Sequence, residues 1–193
     1  AVAFYDGSGA SNGTASGTAD VNVGKSLVYK GQSLVANKSD IATTATSTAV
    51  TIDLTGGLEA DLFSVTGGAK QTSVTIKGDL GDANDKLYVA VGDSDAAGGQ
   101  TYDLSGLKTA SGDVTTIELA GSKSADTTVK LTDGDDVVKI TESGGYSNTN
   151  KIVISDSATG GTDQLFIDTA ADDSVSITNL SLTNIEEIQV DDT

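Results

Sequence analysis

Apolar and polar residues alternate along most of this chain. Typical runs are Val137-Val138-Lys139-Ile140-Thr141, Lys151-Ile152-Val153-Ile154-Ser155 and Gln164-Leu165-Phe166-Ile167-Asp168. Period-2 alternation is the mark of a strand with one buried face, because successive side chains leave a strand on opposite sides. The inward sets this predicts are Val50/Ile52/Leu54, Phe63/Val65, Val74/Ile76, Leu87/Val89/Val91, Tyr102/Leu104 and Ile117/Leu119. They continue with Val129/Leu131, Val138/Ile140, Ile152/Ile154, Leu165/Ile167, Val175/Ile177 and Ile188/Val190. Gly, Asp, Asn or Ser separates each set from the next. No stretch keeps a 3.6-residue apolar stripe, so helix is expected to be scarce and the fold class all-β.

Strands so closely spaced fit a sandwich, a barrel or a solenoid. The hairpin dipeptides Asn-Gly and Asp-Gly occur only at Asp6-Gly7, Asn12-Gly13 and Asp133-Gly134, which is sparse for a long meander. The expectation is a parallel β-solenoid body with two or three short strands per coil and its Asp/Gly-rich turns stacked in columns. The alternative is an antiparallel β-sandwich, in which the same turns are hairpin loops.

Two regions differ in pattern. Residues 49–193 form the β-strand-repeat domain. Residues 1–48 read as an N-terminal extension or small assembly region, with an apolar head from Ala1 to Tyr5 on a Gly/Ser/Ala/Thr-rich tether from Asp6 to Asp20. Such a head can add to the edge of a neighbouring copy's sheet or pair within its own chain; both stay open at this point.

Charge narrows the functional classes. The chain has 28 acidic and 11 basic residues among 193, a formal net charge of -17, and neither His nor Cys. All the basic residues are Lys. A charge of this sign repels nucleic-acid backbones and anionic lipid surfaces, so neither is an expected partner. No apolar run reaches the roughly 20 residues that a spanning helix needs. Without a signal-peptide pattern or an initiating Met, the chain is expected to be a processed product or a fragment.

The clustered carboxylates repel one another unless cations sit among them. Hard oxygen ligands in Gly-rich turns suit Ca²⁺, the expected cofactor. Three turns resemble the repeated calcium motif Gly-Gly-x-Gly-x-Asp-x-apolar-x: Gly81-Asp82-Ala83-Asn84-Asp85-Lys86-Leu87, Gly134-Asp135-Asp136-Val137-Val138 and Gly160-Gly161-Thr162-Asp163-Gln164-Leu165. They are isolated and not in tandem. The candidate ligands are Asp79, Asp82, Asn84, Asp85, Asp93, Asp95, Asp133, Asp135, Asp136, Asp156, Asp163 and Asp168. In the plain alternative, each Asp satisfies backbone amides of a tight turn.

The stretch Gly160-Gly161-x-Asp163-x-Leu165, followed by Asn184-Ile185-Glu186-Glu187-Ile188-Gln189-Val190, resembles a block found in bacterial surface-layer proteins and related proteins of the repeats-in-toxin type. The resemblance covers about residues 130–190. It implies type I secretion, an extracellular place on the cell surface, a β-solenoid body and calcium-dependent assembly of the chain with copies of itself. The same features also fit a calcium-rigidified stalk or repeat domain of a large secreted adhesin.

Other motifs fail. Asp93-Ser94-Asp95 opens like an EF-hand loop, but Leu104 stands where the bidentate Glu belongs. Asp93 and Asp95 remain candidates only as ligands in an irregular loop. Gly24-Lys25-Ser26 lacks the first Gly of a phosphate-binding loop. Without His or Cys, His-dependent triads, thiol nucleophiles and His-based zinc sites are unavailable, and with 4% aromatics there is no sugar-stacking platform. No enzymatic activity is expected.

Overall fold

The computed structural model describes residues 2–6, 11–15, 18–21, 26–30, 39–43, 49–54, 63–66, 73–80, 84, 86–91, 99–120, 125–142, 146–148, 150–158, 160–169 and 175–191. Among these there is no helix. The strands are β1 (Val2–Asp6), β2 (Ser11–Ala15), β3 (Thr18–Val21), β4 (Ser26–Lys30), β5 (Ser39–Thr43), β6 (Ala49–Leu54), β7 (Phe63–Thr66), β8 (Ser73–Asp79), β9 (Lys86–Val91) and β10 (Gln100–Lys108). They continue with β11 (Val114–Ala120), β12 (Thr127–Lys130), β13 (Asp135–Glu142), β14 (Tyr146–Asn148), β15 (Ile152–Ser155), β16 (Gln164–Thr169), β17 (Val175–Ile177), β18 (Leu180–Thr183) and β19 (Glu187–Asp191).

The chain winds as a parallel β-solenoid. Each coil gives one strand to each of two sheets. One sheet has the order β18-β15-β12-β10-β8-β6-β4-β1-β2 and the other β19-β16-β13-β11-β9-β7-β5-β3. From β4 onward every pairing is parallel, which rules out the antiparallel sandwich. The short strands β14 and β17 pair beside the main sheets, on the returns that follow β13 and β16.

Parallel register turns the alternation into columns, one residue per coil. In the second sheet, Val89, Ile117, Val138 and Leu165 stack in one column, and Leu119, Ile140 and Ile167 in the next. In the first sheet, Val74, Tyr102, Val129 and Ile154 stack likewise. These columns meet in a single core whose buried members are at most 2% exposed, with the partly buried Ile167 packed against it. Burial of each such side chain contributes about 1.5–3 kcal/mol, and neighbouring coils share that core, so each coil is stabilised chiefly by the ones beside it.

The expected inward sets are buried at Ile52, Val74/Ile76, Leu87/Val89, Tyr102/Leu104, Ile117/Leu119, Val129/Leu131, Val138/Ile140, Ile152/Ile154 and Leu165. The side chains of Val50, Leu54, Phe63, Val65, Val91 and Val175 lie outside the described part of the structure. Ile188 and Val190 depart from expectation: they occupy the inward columns but are exposed, on the strand that ends its sheet among the described residues.

Leu107 is buried although it breaks the alternation set by Tyr102 and Leu104. A bulge between Asp103 and Gly106 explains it. Asp103 Oδ1 accepts from Ser105 Oγ (2.6 Å) and Ser105 N–H (3.2 Å), holding the extra residue, after which the strand resumes with Leu107 inward. Outside the core, side chains tie coil to coil. The Tyr88 hydroxyl and Thr141 Oγ1 both donate to Glu118, and Lys139 Nζ lies 5.0 Å from the centre of the Phe166 ring.

At the N-terminal end, β1 runs antiparallel between β4 and β2, with Phe4 opposite Tyr29 and Tyr5 opposite Val28. The apolar head therefore pairs within its own chain. Ladder pairing also runs across position 48, from β4 to β6 and from β5 to β7.

Candidate metal-binding edge

Among the described residues, the connections that lead from the first sheet to the second lie on one edge of the solenoid. There the turns between β8 and β9, β10 and β11, β12 and β13, β15 and β16, and β18 and β19 stack on one another. The motifs at Gly134 and Gly160 fall on this edge, together with Asn84, Asp113 and Glu186.

Close approach between coils is what fixes glycine here. Gly161 has φ +87°, and a Cβ on it would run into the Gly134 carbonyl of the coil beneath. A Cβ on Gly134 would in turn collide with Thr109 Oγ1. The turns therefore nest backbone on backbone, and each positions the carboxylates that follow it.

Register then aligns those carboxylates. The column that holds Leu87 and Thr115 continues to Asp136, which is fully buried. The next two coils place Asp163 and Glu186 directly over it, one residue before the register pairs Val137–Gln164 and Gln164–Glu187 begin. Asp163 is 1% exposed. Adjacent strands lie about 4.8 Å apart, so the acids are held as near neighbours.

Each acid is tied to the coil beside it. Within its own turn, Asp136 Oδ2 also accepts from Thr132 N–H (3.0 Å) and Thr132 Oγ1 (2.8 Å). Asp163 Oδ1 accepts the Asp136 N–H (3.1 Å), and Glu186 Oε2 accepts the Asp163 N–H (2.9 Å). Running the other way, Asp135 Oδ1 accepts the Thr162 N–H (2.9 Å). On this edge the buried Asp136 Oδ1 and Thr115 Oγ1 have only each other as a hydrogen-bonding neighbour. They belong to directly paired residues.

Proton affinity is raised at the two buried acids of the column. Burial pushes the Asp136 carboxyl up to about 7, the nearby Asp163 charge adding to it while hydrogen bonds from Thr132 and Thr115 pull the other way. Burial likewise lifts Asp163 to about 7, with Asp156, Glu186 and Asp135 raising it further against the pull of the Asp136 N–H. Removal of charged oxygens from water and mutual repulsion both favour the protonated acid.

The structure sorts the sequence candidates. Asp135, Asp136, Asp156 and Asp163 act on one another on this edge. Asp156 is buried in the same turn as Asp163, and its Oδ1 accepts the Ala158 N–H (3.0 Å) as in a plain Asx turn. Asp133 is exposed and accepts from Thr109 Oγ1 (3.2 Å). Asn84 is exposed with φ 74°, against Gly112 of the next coil. Asp79, exposed, ends β8 opposite Lys108. Asp168 does not join the column, because it lies further along β16, opposite Thr141 and Asp191. Asp82, Asp85, Asp93 and Asp95 lie outside the described residues.

Sequence reasoning missed Glu186 and Asp113. Glu186 follows no Gly, and its only signal was its place in Asn184-Ile185-Glu186. Asp113, buried and accepting the Ala110 N–H (2.7 Å), follows Gly112 and carried the same Gly-Asp signal as the chosen turns.

The donor set is all hard oxygen with surplus negative charge, which is the chemistry Ca²⁺ takes. Among the described residues, no three carboxylates converge closely enough to form a ready-made metal cage. In comparisons with family models, curated proteins and solved structures, nothing matches this chain.

Proposed function

We propose that this chain is an extracellular structural protein that assembles with copies of itself into a surface layer or filament, stabilised by Ca²⁺ at its acidic edge. One observation carries the reading: Asp136, Asp163 and Glu186 stack in one column of a solenoid, two of them buried. A chain selected for stability alone gains nothing from burying carboxyls side by side, because each costs desolvation and repels the next. A bound cation would offset both terms.

Asp136 Oδ1, which faces only the Thr115 hydroxyl, and the remaining carboxylate oxygens of Asp163, Glu186 and Asp156 are the atoms that would turn toward the ion. A cation bound to the folded state alone would stabilise it by mass action. It would act at the turns where coil rests on coil. The absence of His and Cys fits a chain whose work is packing and cation binding. The surface-layer resemblance of residues 130–190 supports the same reading.

Electron microscopy of the purified chain tests it. Lattices or filaments formed in millimolar calcium and dispersed by chelator support the assembly. Discrete particles in both conditions, together with calcium-dependent rigidity, would favour the adhesin stalk instead.

A further inference from the structure

Among the described residues, the connections that lead from the second sheet back to the first lie on the edge opposite the acidic turns. One contact repeats there. Gln100 N–H donates to Asp126 O, Thr127 N–H to Lys151 O and Ile152 N–H to Asn179 O, each at 2.8 Å. These bonds set the turns one above another. Asp126, Lys151 and Asn179 therefore stand in a single column, one residue before the register pairs Thr127–Ile152 and Ile152–Leu180 begin. Adjacent members are about 4.8 Å apart. The next position back holds Asn150 and Thr178 side by side.

A cleft of about 530 Å³ opens along these positions, completed by Leu180 and Ser181 at the start of β18. That volume falls within the roughly 300–1,000 Å³ of small-molecule sites. Its chemistry differs from that of the other edge, which stacks acid on acid. Here the column runs acid, base, amide. Asp126 Oδ1 accepts the Lys151 N–H (2.9 Å), which pins the carboxylate and leaves Oδ2 for a ligand beside the exposed Lys151. This composition selects what fits. A phosphate or sulfate meets the Asp126 charge and the field of a chain at -17. A divalent cation finds one carboxylate next to an ammonium, where it needs several oxygens. An apolar molecule finds only Leu180, itself partly buried against the core. A sugar hydroxyl both donates and accepts, so neighbouring hydroxyls can give a proton to Asp126 and take one from Lys151 or an Asn amide.

We propose that this cleft binds a neutral saccharide of one or two rings, held across successive coils by the Asp126–Lys151–Asn179 column. Asp126 and Lys151 make the charge-assisted hydrogen bonds that orient it. Asn150, Thr178 and Ser181 add neutral ones around the rim. Among the described residues no aromatic ring lines the cleft, so hydrogen bonds alone carry recognition and binding is in the millimolar range. The site lies away from the acid column. It goes beyond the assembly reading and does not depend on it.

Nuclear magnetic resonance of the full, isotope-labelled chain in chelator tests the site. Maltose, lactose and the disaccharide of N-acetylglucosamine are titrated separately, with glycine as a zwitterionic comparison. At least one sugar is expected to shift the backbone amides of Asn150, Lys151, Asn179 and Ser181 saturably. Asp126→Asn keeps an oxygen for the Lys151 N–H, and Lys151→Met keeps the aliphatic stem of an exposed side chain, so both variants stay folded, which circular dichroism checks. Each is expected to weaken sugar binding at least about tenfold. The matched change Lys139→Met on the other sheet is expected to leave it unchanged. No saturable shift at these amides with any of the three sugars overturns the proposal, as does undiminished binding in both variants. Glycine shifting the same amides where no sugar does makes the cleft a zwitterion site and overturns it too.

Discussion

The backbone N–H of Asp136 donates to Oδ1 of Asp163, 3.1 Å away and 27 residues further along the chain. The bond joins two successive coils and leaves two buried acids side by side. The same arrangement recurs one coil on, where Asp163 N–H reaches Glu186 across 23 residues.

Asp163→Asn keeps an oxygen for the Asp136 N–H and removes a charge from the column. In chelator at neutral pH this variant is expected to match or exceed the wild type in stability. Asp163→Ala leaves that buried N–H without an acceptor and should cost about 1–3 kcal/mol. Urea unfolding of both variants checks the order. A less stable Asn than Ala variant would contradict the hydrogen-bond account.

The proton affinities set the pH dependence. Asp136 and Asp163 hold their protons up to about 7 in the folded chain, well above the ordinary carboxylate value. The folded state therefore binds more protons than the unfolded chain between the two values. Stability in chelator is fully present below the unfolded value and is lost as pH rises through about 7. Asp103 acts in the opposite sense. Burial would raise it, but Lys130 and Ser105 outweigh that and lower it, so its contribution is lost only in stronger acid. Thermal melts in chelator across this range should show a falling midpoint as pH rises. A rising or flat midpoint would remove the buried pair from the account.

Strand positions were legible because alternation survives at nearly every coil, and each buried pair such as Val138 and Ile140 announces itself locally. Leu107 was not, since the bulge held by Asp103 and Ser105 shifts the phase of β10 partway along. The acid column was only half legible. Gly beside Asp135 and Asp163 marks the turns, but stacking depends on coil length, and a step of 27 followed by one of 23 leaves no fixed repeat to align Asp136, Asp163 and Glu186. Asp168 looked equivalent by residue type, yet its distance along β16 takes it away from the turn.

Backbone crowding gives a separate prediction. Gly161 combines φ +87° with the Gly134 carbonyl against its α-carbon, whereas a Cβ on Gly160 would lie 3.2 Å from the Asp133 oxygen. Gly161→Ala is expected to cost more than about 1 kcal/mol, and Gly160→Ala clearly less. Paired thermal melts check the ranking; equal losses would mean that the turns do not nest as described.

Core columns should lose importance toward the last coil. Ile117→Ala, in a fully buried position flanked by Val89 and Val138, is expected to cost about 2–5 kcal/mol. Ile188→Ala in the same column should cost well under half as much under monomeric conditions, because most of its surface is already in water. Similar losses at both positions would contradict an open end.

The proposed calcium role predicts that Asp136→Asn with Asp163→Asn weakens calcium binding while leaving the fold intact. A change of Asp172 and Asp173 to Asn should have a smaller effect. Calorimetric titration giving the reverse order would move the site elsewhere on the chain.

Sedimentation velocity of the wild-type chain, run in chelator and again in millimolar calcium, bears most directly on the central claim that cations at the acidic edge stabilise an assembling solenoid. The prediction is a shift from small species in chelator to large particles in calcium, reversed when chelator is restored. An identical distribution in both conditions would contradict it.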